Sequence, residues 1–253
     1  MNQSPREKAK SVQIRSSVDV QWGNTYLNYL KKDNRLYDDA EVKELPETFF
    51  YNLHRAEWER KAQSAKRLMS YLNRPPVEDQ KFQLLDMGCG TGWLAAQVAK
   101  LPQFEVVGLD IVPELLQQAA RVSVKPGLSF VQGDIFEDLF PEEHFDLIIL
   151  FDVITYFSNL PQLLNRLRQF LKKGGEIHLL ESQFYQEKEI ELAKRKTEER
   201  YKQLGVPEMV DLHFFHSIKD LSPFDFYHIS KSRGFGRWLR SKEKELPWVK
   251  IVN

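Results

Sequence analysis

The 253-residue chain carries 36 basic and 36 acidic side chains for a formal net charge of zero, with 42% hydrophobic, 12% aromatic and 28% charged residues. Those proportions describe a soluble globular protein with room for one substantial core, and the charge balance excludes a whole-molecule field that would draw it to nucleic acid. The lone cysteine, Cys89, excludes an internal disulfide, and the longest strongly apolar run, Leu147–Phe151, is far too short for a membrane span, so a cytoplasmic protein without a membrane partner is expected.

Residues 1–20 read as a loose polar tail; basic residues there have no apolar run behind them, which is not a secretory pattern. Residues 21–76 read as a helical N-terminal cap or lid rich in aromatic and charged residues. Within it Trp58, Ala62, Ala65, Leu68, Met69 and Leu72 recur at helical spacing, predicting a helix that ends before Pro75 and Pro76. From residue 77 onward strand and helix alternate. FQLLDM is a strand and GWLAAQVAKL a helix; FEVVGLD is a strand and VPELLQQAARV a helix with Pro113 near its first turn. GLSFVQ and FDLIILF follow as strands, LPQLLNRLRQFLKK as a helix and GEIHLLE as a strand. This order predicts an open parallel sheet covered by helices on both faces.

Residues 183–223 break the rhythm and read as an insertion. Its helix shows a thin apolar stripe, Ile190, Ala193, Thr197, Tyr201 and Leu204, among charged residues that include the i,i+4 pairs Glu191–Arg195 and Glu198–Lys202. FDFYHIS and LPWVKIVN then read as an antiparallel ribbon at the end of the sheet, joined by the basic segment 231–245, which is expected to be a solvated loop.

Three of the chain's 12 glycines, Gly88, Gly90 and Gly92, alternate after the first strand of the repeat, in LLDMGCGTGWLA. A strand, a glycine-rich turn and a helix N-terminus together offer unpaired backbone N–H groups to a polar ligand. A phosphate loop would need Lys-Ser or Lys-Thr after Gly92, where Trp93 and Leu94 stand. A dinucleotide fingerprint would need its third glycine where Trp93 stands. Asp110 closes the next strand, where an acid can accept both hydroxyls of a ribose.

The spelling D-x-G-x-G-x-G resembles motif I of the class I S-adenosylmethionine-dependent methyltransferases, and the strand–helix pattern matches from about Phe82 to Glu181. The resemblance implies an α/β, Rossmann-like three-layer sandwich: a mostly parallel seven-stranded sheet with an antiparallel C-terminal strand. It implies S-adenosyl-L-methionine as cofactor. Asp134 would accept from the adenine amino group, Ile135 would offer its N–H to the ring, and Ile111 would pack on the adenine face. Asp86, Gly88 and Gly90 would line the methionine end, with Cys89 and Gly92 in the same turn and the main chain of Phe151 or Asp152 closing it. A methyl transfer of this kind needs an acceptor held in line with the S–CH₃ bond, exclusion of water and, for some acceptors, removal of a proton.

Tyr156, Glu181, His54 and His216 are the candidate bases, and the aromatic N-terminal stretch and the insertion are the candidate lids. The end of strand four, Phe151 to Tyr156, lacks the Asp/Asn-Pro-Pro-aromatic run that DNA amino-methyltransferases have in common, so no DNA partner is expected. A small-molecule acceptor, methylated on oxygen or nitrogen, is the leading reading. A protein or RNA acceptor, a non-catalytic cofactor-binding protein and a nicotinamide oxidoreductase are the alternatives. His213 and His216, at i,i+3, lack an evident third ligand, so no metal is expected. Tyr227 and Lys231 share the spacing of a dehydrogenase pair but fall in a strand-like run, where four residues span about 13 Å.

Overall fold

The computed structural model describes residues 12–14, 20–73, 81–229 and 246–253; Lys231 and the basic segment 231–245 lie outside them. In chain order the elements are β1 (Gln13–Ile14), α1 (Val20–Lys32), α2 (Asp39–Glu44), α3 (Arg55–Leu72), β2 (Phe82–Met87), α4 (Trp93–Val98), β3 (Phe104–Asp110), α5 (Pro113–Val122), β4 (Leu128–Gln132) and β5 (Phe145–Phe151). They continue with α6 (Leu160–Phe170), β6 (Leu171–Leu180), β7 (Phe184–Tyr185), α7 (Glu187–Leu204), β8 (His216–Ser217), β9 (Phe226–His228) and β10 (Val249–Val252).

The main sheet runs β1-β4-β3-β2-β5-β6-β10-β9, and β10 runs against the common direction of the other strands, antiparallel to both β6 and β9. Seven of these strands are the ones read from the sequence. The eighth, β1, comes from the stretch read as a tail: Gln13 and Ile14 pair with Val131 and Gln132 and extend the parallel edge.

Period-two alternation explains why both faces of the sheet are dry. In β2, Leu84 faces a layer formed with α3, α4 and α5, where Leu68, Leu94 and Leu116 are buried. Its neighbour Leu85 faces the opposite layer with Leu163, Leu164 and Leu167 of α6. In β5, Ile149 joins the first set and Ile148 and Leu150 the second, all with no exposed surface.

Local signals set the helix ends. Pro113 opens α5, and the Asn159 side chain accepts from Gln162 N to cap α6, with Pro161 in its first turn. Helix α6 stops at Phe170, three residues earlier than the sequence pattern suggested. Leu171 is already paired with Phe145, and the register then slips to Leu147–Glu176 around Gly174, whose φ is +76°. In the insertion, α7 begins with a reciprocal capping box between Gln186 and Glu189 and ends at Gly205; Tyr201 is its sole buried residue. The two ends of the insertion are tied together by the β7–β8 pair, Phe184–His216 and Tyr185–Ser217.

Candidate functional site

A cleft of about 410 Å³ opens at the carboxyl ends of the parallel strands, the expected ligand position in an open α/β sheet. One wall comes from the ends of β2, β3 and β4: Gly88, Gly90, Asp110, Ile111, Asp134 and Ile135. The other wall is assembled from distant parts of the chain. Helix α1 contributes Trp22 and Tyr26, the turn after β5 contributes Asp152, Val153, Tyr156 and Phe157, and the insertion contributes Leu212 and Phe214.

The glycine turn divides its labour. Gly88, Gly90 and Gly92 all have positive φ, +73°, +53° and +69°. A Cβ on Gly88 would stand 2.4 Å from Val153 Cγ2, and one on Gly92 would stand 2.6 Å from the Phe130 ring. Those two positions are small because the protein itself packs there. Only Gly90 has open space where a side chain would be, so it is the glycine of the three that lets a ligand reach the main chain. Cys89 is buried, its Sγ within 2.9 Å of where a Cβ on Gly108 would lie; burial raises its thiol pKa well above the ordinary range.

Asp110 organises the turn. Its Oδ2 accepts from Gly90 N at 2.7 Å and its Oδ1 from Val112 N at 2.9 Å. Burial raises its pKa, while the backbone N–H groups of Val112, Gly90 and Ile111 oppose that shift. Each oxygen retains a second lone pair for a ligand hydroxyl. Asp134 accepts from Phe136 N at 3.0 Å and so fixes the turn that follows β4. Asp86 does not line the cleft. It is buried beneath the glycine turn with Oδ2 lacking any hydrogen-bond partner, and burial first, then the charge of Asp110, raises its pKa from 3.8 to about 7. An orphaned buried oxygen below an open glycine, beside a ribose-competent acid, fits S-adenosylmethionine: Gly90 would meet the methionine end with Asp86 supporting its turn from below, Asp110 the ribose, and Asp134 with Ile135 the base.

The facing wall is aromatic. Trp22 stacks on Tyr26 at 5.3 Å between ring centroids, and Tyr156 meets both edge-on, at 6.0 and 5.1 Å. Tyr29 and Tyr201 continue the cluster from α1 into α7, 5.5 Å apart. Both segments named as lids therefore contribute: α1 forms the roof, and α7 braces α1 while the chain beyond it supplies Leu212 and Phe214.

Three of the four candidate bases stand outside this cleft. Glu181 has a side chain that is 1% exposed and is held by Arg60 Nε at 2.7 Å and by the Ser64 hydroxyl. His54 binds the Asp33 carbonyl through Nε2 at 2.6 Å. His216 is buried, with Nε2 on the Ile154 carbonyl at 2.9 Å. His213 meets Tyr201 Oη instead, and burial lowers its pKa to about 4; neither histidine lies on a helix, so the i,i+3 metal geometry does not arise. Tyr156 does line the cleft, but burial raises its pKa well above the ordinary range, which leaves it a hydrogen-bond donor at neutral pH. Phe151 turns away from the cleft onto Trp93, 5.3 Å between centroids. Tyr227 sits in β9, as its strand-like setting suggested.

The residue after Phe151, which the sequence offered only for its main chain, brings its side chain to the cleft. Asp152 lines the cleft with φ +57°, and its Oδ2 pairs with Lys61 Nζ at 2.8 Å. Lys61 also binds Glu57 at 2.8 Å, and Glu57 receives Arg35 through two bonds of 2.8 and 2.9 Å. Burial alone would favour a neutral Lys61, but Asp152 and Glu57 outweigh it and keep the amine protonated. The i,i+4 spacing of Glu57 and Lys61 was the available signal; their partner Asp152 was not.

A family described as methyltransferase domain matches residues 78–247. The chain belongs to this methyltransferase-domain family. It is similar to malonyl-[acyl-carrier protein] O-methyltransferase of Halalkalibacterium halodurans, 33% identical over 44% of each chain. It is also similar to trans-aconitate 2-methyltransferase of Deinococcus radiodurans, 39% identical over 37% of this chain and 35% of that one. The chain thus spans less than half the length of these relatives. Its fold matches that of the YcgJ protein from Bacillus subtilis with a TM-score of 0.55 and 17% identity, over 67% of this chain and 71% of that one. Among the described residues of this methyltransferase-domain protein, no helix is long and apolar enough to cross a membrane.

Proposed function

We propose that the chain transfers the methyl group of S-adenosylmethionine to an oxygen or nitrogen atom of a small molecule by in-line displacement. The observation that carries this reading is the two-walled cleft: a glycine turn with Asp110 and Asp134 on one side, and a roofed aromatic wall on the other. Its volume of about 410 Å³ is within the range of small-molecule sites, roughly 300–1,000 Å³. The malonyl and trans-aconitate relatives, named for small acceptors or carrier-bound ones, lend support over the part of the chain that they match.

Bound there, the cofactor would supply a methyl group already activated on a sulfonium. The chain's own residues have the remaining tasks. Asp110 accepts from the ribose hydroxyls, and Asp134 with the Ile135 N–H holds the base. Trp22, Tyr26 and Tyr156 exclude water and confine the acceptor, the kind of positioning that is worth roughly 7–11 kcal/mol in favourable cases. Incubating the protein with methyl-tritiated cofactor and a cell lysate tests the reading. Label in the small-molecule fraction is the expected result, and label confined to protein or RNA would replace the acceptor class.

A further inference from the structure

Resting on that reading, we infer that the acceptor is an amine, with its nitrogen held by Asp152. Among the described residues, the cleft is lined by three carboxylates, Asp110, Asp134 and Asp152, and by no lysine, arginine or histidine. Asp110 and Asp134 each accept backbone N–H groups of their own turns. Asp152 is different. Only its Oδ2 is engaged, by Lys61, while Oδ1 has no hydrogen bond from a described residue and the side chain is 44% exposed. The nearest cation is no receptor for a substrate anion, because Lys61 is 11% exposed and already shared between Asp152 and Glu57.

Two chemical arguments select among acceptors. A carboxylate acceptor would enter beside the free, exposed oxygen of Asp152, with the wall offering it only aromatic faces and no cation. A hydroxyl acceptor could pass its proton to Asp152 as the bond forms, but it enters and leaves uncharged and gives neither that carboxylate nor the aromatic faces a cation to hold. An amine enters as its ammonium ion, paired with Asp152, and one N–H proton passes through that carboxylate to water. Its freed lone pair then forms the N–CH₃ bond while the S–CH₃ bond breaks, and the electron pair of that bond stays on sulfur, which becomes a neutral thioether. Nitrogen takes on the positive charge again, Asp152 and the faces of Trp22 and Tyr26 stabilise it, and the product leaves as the methylated ammonium ion.

The chemistry of the tritiated small-molecule product decides the matter. Label that survives mild alkali and binds a cation exchanger at neutral pH is the expected result. Label released by alkali as methanol marks an ester, and alkali-stable label that passes the exchanger marks an ether; either overturns the amine while leaving a small-molecule acceptor intact. Label found only in protein or RNA overturns the underlying reading as well. Asp152→Asn provides a second measurement, since asparagine tolerates the positive φ and keeps the shape of the side chain. Its turnover should fall by at least about tenfold, with affinity for S-adenosylhomocysteine within twofold by calorimetry. Unchanged turnover would show that Asp152 does not hold the acceptor, and a loss confined to that affinity would place it on the cofactor side; either overturns the assignment. The product chemistry of the unsubstituted protein tests the proposal whether or not the variant folds.

Discussion

The wall that ends β2, β3 and β4 and the wall that faces it are built by different means. The first lies wholly between Gly88 and Ile135, and backbone geometry shapes it: three glycines at positive φ and two aspartates that bind N–H groups of their own or adjoining turns. The second joins Trp22 and Tyr26 to Asp152, Tyr156 and Phe214, and side-chain contacts shape it: ring edges and a chain of ion pairs from Arg35 to Asp152. A wall made of local turns is fixed once the sheet forms. A wall made of packed side chains from three segments can be altered without disturbing the first.

The sharpest way to break this division is at Arg60, which belongs to neither wall but holds Glu181 at the end of β6. Arg60→Ala leaves a buried carboxylate without its cation, and a loss of about 3–5 kcal/mol in chemical denaturation is expected; a loss below 1 kcal/mol would mean that Glu181 is not committed to structure. Gly88→Ala should cost about 2–4 kcal/mol, from collision with Val153 and from the left-handed backbone. Gly90→Ala should cost only about 1–2 kcal/mol of stability yet abolish measurable cofactor binding, since its Cβ would stand in the cleft. Equal effects of the two alanines would erase the distinction between packing glycine and ligand glycine.

Asp110→Ala should weaken binding of S-adenosylhomocysteine by about 1–3 kcal/mol in calorimetry, by removing an acceptor that also orders the Gly90 turn. A further effect concerns pH. Folded Asp86 keeps its proton up to about pH 7, whereas the unfolded chain releases it near 3.8. The folded state therefore binds more protons between those values, so stability falls as pH rises through that window and is level above it. Asp86→Asn should flatten a slope of at most about 1.4 kcal/mol per pH unit, read from denaturation midpoints between pH 4 and 7.

The contrast between the walls also accounts for what the sequence revealed. The sheet order was legible because each strand and helix carries its own period, and the glycine turn because its residues are adjacent in the chain. Asp110 and Asp134 stand out for the same reason: Asp110 closes β3 and Asp134 stands two residues past the end of β4. Glu181 ends a strand too and looked equally available, but Arg60 and Ser64, more than a hundred positions earlier, fold over it. His54 and His216 were misplaced likewise, each satisfied by a carbonyl remote in sequence. Asp152 was legible only for its main chain at the end of strand four, not for its side chain. The residue beside it, Phe151, looked the natural end of the strand, and only the turn at φ +57° shows which of the two side chains enters the cleft. Edge pairing by Gln13 and Ile14 was not legible either, since two residues carry no periodicity.

The burial of Cys89 has a practical consequence. With one cysteine in the whole chain, and that one enclosed and reluctant to ionise, the surface offers no native thiol to maleimide reagents. A cysteine introduced on the outer face of α1 would therefore take a fluorophore alone. Its emission would report in real time how the roof over the cleft moves as ligands enter and leave.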